Sequence, residues 1–158
     1  MNMVSQVGAL LATELFWNVI VWLPTLAFSL VFVRVVLGIR MRELVAEVEE
    51  HQTAAVGAVF FWTSFGFSML ISKAVADPPV AAASYAEALF WLGIGMVIAV
   101  LFFVLGTLMV FGVLARRQRE GMFRYIQREL RREHNLSLTM IMGALFIVPV
   151  VVAYHMTV

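Results

Sequence analysis

The chain has 158 residues, of which 63% are hydrophobic and 13% charged, with a net charge of +1 and no cysteine. A soluble domain is about half apolar and about a quarter charged, so this composition excludes one and points to an all-α membrane protein. The missing cysteines exclude disulfides, thiolate metal sites and cysteine nucleophiles.

Four apolar runs reach the roughly 20 residues that a helix needs to cross a bilayer. They predict spans at about 14–38, 54–75, 84–114 and 136–156, forming one four-span domain over residues 1–158. Met1 to Thr13 carries no lysine or arginine, so it lacks the basic start of a signal peptide, and the first run is expected to be retained. Pro24 removes the hydrogen bond to the Ile20 carbonyl, which predicts a kink in the first span. Glu14, Asn18, Thr25 and Ser29 fall on one helical stripe. Interhelical hydrogen bonding is the main reading of that stripe, and a polar path for protons or ions is the alternative.

The loop from Ile39 to Thr53 predicts a short amphipathic helix, with Leu44, Val45 and Val48 at helical spacing. Its glutamates Glu43, Glu47 and Glu50 repel one another unless something basic lies nearby, and the arginines of the third loop are the expected partner. Ser64, Ser68 and Ser72, four apart, predict a small-residue ridge for close helix packing in the second span. Asp77-Pro78-Pro79 breaks the chain before the third span, and Pro149 lies near the far end of the fourth. At 1.5 Å per residue the third span is longer than the hydrocarbon core and is expected to tilt or project.

The third loop holds seven of the eleven basic residues: Arg116, Arg117, Arg119, Arg124, Arg128, Arg131 and Arg132. Met122, Phe123, Ile126 and Leu130 recur among them at helical spacing, and Gly121 separates this segment from the third span. A basic amphipathic helix beside a membrane binds anionic lipid headgroups at roughly 1 kcal/mol per arginine. An acidic face of a partner protein or a phosphate-bearing ligand suits the same charges. Nothing resembles a nucleic-acid-reading module. Loops one and three together hold nine of the eleven basic residues, which places both loops in the cytoplasm and both termini outside. Trp17, Tyr85, Trp91 and Tyr154 then form an aromatic belt at the outer interface.

The two charged loops end alike, with Glu50-His51-Gln52 before the second span and Glu133-His134-Asn135 before the fourth, 83 residues apart. Duplication of a two-helix unit accounts for this, and chance similarity of two loop ends is the alternative. His51-Gln52-Thr53-Ala54-Ala55 opening a span, echoed by His134-Asn135, resembles a small bacterial inner-membrane family catalogued as "domain of unknown function 350" (uncharacterised family 0719). That resemblance implies four spans built as a tandem repeat in a bacterial inner membrane, and no established activity. Leu136-Ser137 stands where the family pattern has a Thr-Ala-like pair.

His51 and His134 occupy matching depths, as ligands of a haem between four helices do, although bis-histidine haem sits deeper within the spans. Hydrated interfacial histidines are the alternative, and no cofactor or metal is expected. No nucleophile with a neighbouring base, carboxylate pair or phosphate-cradling glycine loop is present, so no enzyme is expected. The expectation is a small non-catalytic subunit or scaffold of a membrane complex. It docks anionic lipid, other membrane subunits or a second copy of itself, with an oligomeric ion or proton conductor or transporter, and after that a haem-binding membrane anchor, as the alternatives.

Overall fold

A run of leucine, valine, alanine and phenylalanine uninterrupted by charge satisfies its backbone only by coiling into a helix, and four such runs do so. The computed structural model describes residues 3–49, 54–76 and 84–156. Six helices form among them: α1 (Met3–Leu37), α2 (Met41–Glu49), α3 (Ala54–Ala76), α4 (Tyr85–Arg117), α5 (Met122–Arg131) and α6 (Leu136–Met156). Helices α1, α3, α4 and α6 are long and apolar enough to cross a membrane, so the chain is an all-α membrane protein. Each half of the chain reads long helix, short helix, long helix. The Asp77-Pro78-Pro79 breaker and the His51 segment lie outside the described residues.

Helix α3 packs against α1, α4 and α6, and α6 packs against α3 and α4. The centre is aromatic. Phe32 of α1, Trp62 and Phe67 of α3, Phe103 of α4 and Phe146 of α6 join all four long helices, with the Phe146 ring centroid 5.1 Å from that of Phe32 and 5.3 Å from that of Trp62. Each such edge-on or tilted pair contributes about 0.5–1.5 kcal/mol beyond its buried area.

The expected serine ridge is not what brings the helices together. Ser64 and Ser68 are half-buried and Ser72 is exposed, because the buried face of α3 follows Val59, Trp62, Thr63, Gly66, Phe67 and Leu70. Two glycines make the close approach between α3 and α6. A methyl group on Gly66 would lie 2.5 Å from the Phe146 ring, and one on Gly143 would lie 2.9 Å from the Trp62 ring. Each helix thus offers a glycine to the other's aromatic side chain.

Helix α1 starts at Met3, eleven residues earlier than the predicted span, because the preceding leucines and alanines continue the helix. It passes through Pro24 without interruption, as α6 passes through Pro149. Its 35 residues make about 52 Å against about 35 Å for the 23 of α3, so it overhangs the bundle. Every described side chain from Val7 to Val19 is exposed. At its other end Gly38 adopts φ +64° while its N–H donates to the Arg34 carbonyl at 2.9 Å, a left-handed stop that glycine reaches without strain.

Candidate interaction surface at the charged end

Both short helices lie at the same end of the bundle. The α4 helix stops at Arg117, the chain turns through Gln118 to Gly121, and α5 runs back across the end, packing against α1, α3, α4 and α6. Gly121 stands at the start of α5 and marks the break expected there. The inner face of α5 consists of Tyr125, Ile126 and Leu130, all buried. The spacing had offered Phe123 for that face, but Phe123 is half exposed at 50% and Tyr125 takes its place. Burial, and secondarily the Glu129 carboxylate, raises the Tyr125 hydroxyl above its usual pKa.

Helix α2 forms where the loop-one pattern predicts it, with the Val48 side chain outside the described residues. Val45 is exposed and Leu44 half-buried, and among the described residues of α2 Glu47 is the buried one, at 8% exposure. A carboxylate removed from water needs a partner. Arg131 of α5 supplies one, its Nε donating to Glu47 Oε1 at 3.0 Å with Glu43 Oε2 3.9 Å from its terminal nitrogen. The expected pairing of loop-one glutamates with loop-three arginines therefore exists for Glu43 and Glu47, and among the described residues Arg131 carries it, while Glu50 lies outside them.

Arg128 is held within its own loop. Its guanidinium donates to Glu120 at 2.6 Å, to Glu129 at 3.1 Å and to the Gln118 side chain. The hydrogen bond it donates to Glu129 raises its pKa further, so it stays charged at any ordinary pH. Glu129 also accepts from Asn135 Nδ2 at 2.9 Å, and Asn135 Oδ1 accepts from the Leu138 N–H at 3.0 Å, capping α6. One network thus ties the α4–α5 turn, α5 and the start of α6 together. Among the described residues no acidic side chain pairs with Arg116, Arg117, Arg119, Arg124 or Arg132, and all five are exposed.

The other candidates separate. Glu14 and Asn18 lie on the exposed overhang of α1, where Asn18 Nδ2 donates to the Glu14 carbonyl at 2.9 Å. Thr25 and Ser29 are buried against the bundle, each donating its hydroxyl to the carbonyl four residues earlier at 2.7 Å. The stripe is thus continuous along α1 but not through the bundle, and its buried hydroxyls point back to their own helix. His134 is exposed in the turn between α5 and α6 at φ +50°, and His51 lies outside the described residues. Trp17, Trp91 and Tyr154 lie at the end opposite α2 and α5, where Lys73 Nζ is 5.4 Å from the Tyr154 ring centroid.

No family model, curated protein or solved structure matches the chain. The geometry of the charged end carries the functional reading by itself. Sequence periodicity located α5 and its arginines. It missed Tyr125 and the buried Glu47, because a spacing rule that scores apolar residues passes over a tyrosine and a carboxylate whose burial depends on another helix.

Proposed function

We propose that this is a non-catalytic subunit or scaffold of a membrane complex, whose α2–α5 end is a docking platform for an acidic partner or for anionic lipid headgroups. One observation carries the reading: α5 is buried on one face, and on and beside it Arg116, Arg117, Arg119, Arg124 and Arg132 are exposed with no acidic partner among the described residues. A helix of that kind at the end of a membrane bundle is attracted to anionic surfaces. The arrangement of arginine and lysine along the chain supports a placement with both termini outside and α2 and α5 in the cytoplasm of a bacterial inner membrane. Membership in the family of "domain of unknown function 350", with its tandem repeat of two-helix units, belongs to the same proposal and rests on the layout and the few residues quoted above.

The test is purification from native membranes under gentle solubilisation, of the unaltered chain beside Arg116→Glu/Arg119→Glu. A stoichiometric neighbour that leaves with the charge reversal supports the platform. A lone monomer that behaves the same in both forms overturns it.

A further inference from the structure

A cleft of about 730 Å3 opens between α2, the α4–α5 turn and the outer flank of α5. Arg124 and Arg128 of α5 and Arg132 at its C-cap are spaced by four and stand in one row beside it, with Arg131 adjacent and His134 at the rim. Two of these guanidiniums are already fixed. Arg131 is held by Glu47 and Arg128 by Glu120, both of which also line the cleft. Arg124 and Arg132 have no acidic partner among the described residues. Glu129 also pairs with Arg128 and Glu43 lies 3.9 Å from Arg131, so the two braced arginines are neutralised and Arg124 and Arg132 are left as two uncompensated guanidiniums beside a concave site.

We propose that this cleft binds a phosphate monoester, clamped between Arg124 and Arg132. The guanidinium fork matches phosphate oxygens in pairs, and prior ion pairing of Arg128 and Arg131 fixes the floor of the site before the ligand arrives. A monoester carries about −1.5 to −2 charge at neutral pH. That matches the two unpaired guanidiniums, whereas a phosphodiester carries a single charge and leaves one of them uncompensated. The same chemistry occurs in a lipid headgroup such as phosphatidic acid and in a soluble ester such as glycerol 3-phosphate. The inference deepens the platform reading and fails separately from it, because the platform test alters Arg116 and Arg119, which lie outside the cleft.

The experiment is native mass spectrometry of the full chain in an uncharged detergent, with phosphatidic acid, phosphatidylglycerol and phosphatidylcholine as probes and glycerol 3-phosphate as competitor. Arg124→Gln/Arg132→Gln is compared with the charge-matched pair Arg34→Gln/Arg40→Gln, two exposed arginines outside both the cleft and the short helices. The expected result is a phosphatidic acid adduct that the first pair weakens about tenfold or more and the second leaves unchanged. Displacement of that adduct by glycerol 3-phosphate shows that the site reads the monoester itself, and binding of glycerol 3-phosphate with no lipid adduct assigns the soluble source. Equal retention of phosphatidylglycerol and phosphatidic acid overturns the proposal, as do equal losses in both variant pairs or binding of neither monoester. A circular dichroism spectrum identical to the parent's confirms that the variants are folded.

Discussion

Arg131 Nε donates to Glu47 Oε1 at 3.0 Å across 84 residues of chain, joining the two short helices of the charged end. Glu47 is the more deeply buried partner, with 11% of its side chain accessible against 35% for Arg131. That asymmetry sets what each substitution does. Arg131→Ala leaves a carboxylate with little access to water and lowers stability by about 1–2 kcal/mol, while Glu47→Ala leaves an arginine that re-extends into solvent and costs less. Chemical unfolding in detergent of both single variants and the double variant gives the coupling. The expected value is about 1 kcal/mol, and additive single effects would show that the bond contributes nothing.

The glycines at the α3–α6 contact differ sharply from those facing open space. Gly66→Ala places its methyl 2.5 Å from Phe146, and Gly143→Ala places its methyl 2.9 Å from Trp62, in a centre already filled by aromatic rings. Each is expected to lose about 1–3 kcal/mol by overpacking. Gly93→Ala has nothing within 4 Å and lies within α4, so it is expected to be neutral or to gain a few tenths of a kcal/mol from helix propensity. Thermal unfolding of the three variants separates these outcomes, and a loss at Gly93 equal to that at Gly66 would contradict the packing described.

Tyr125 provides a pH signature for the docking of α5. Burial raises its hydroxyl pKa above 10.0, so the folded state favours the protonated phenol. Its contribution to stability is therefore complete below the unfolded pKa and is lost as pH rises through the folded value. Phenolate absorbance titrated in the parent and in Tyr125→Phe isolates this residue. The difference curve should have its midpoint above pH 10, and a midpoint at or below that of a free tyrosine would mean that α5 does not bury the ring.

The pattern of residues fixes much of the architecture in advance. Helix count, the four spans, the break at Gly121 and the existence of α2 and α5 are all local properties of hydrophobic runs and turn residues. The serine ridge of α3 shows where such reading stops. Spacing by four identifies a row on a helix, and only the positions of the neighbouring helices say which row is buried. The same holds for α1, whose polar stripe runs from the exposed Glu14 to the buried Ser29 because its partner α3 is shorter.

At the charged end the division is similar. The count of arginines and their separation from the apolar runs were determined by sequence alone, because charge is excluded from hydrocarbon wherever the chain folds. Which arginines are committed and which remain available was decided by tertiary structure. Burying Glu47 draws in Arg131, and the turn at Glu120 together with Glu129 captures Arg128. Arg124 on the same helix and Arg132 at its C-cap, of the same chemistry, are left facing the cleft because the carboxylates lining it are taken by Arg128 and Arg131 and no other among the described residues pairs with either. An ion pair depends on the distance between two side chains, and distances between elements far apart in sequence are set only when the helices pack.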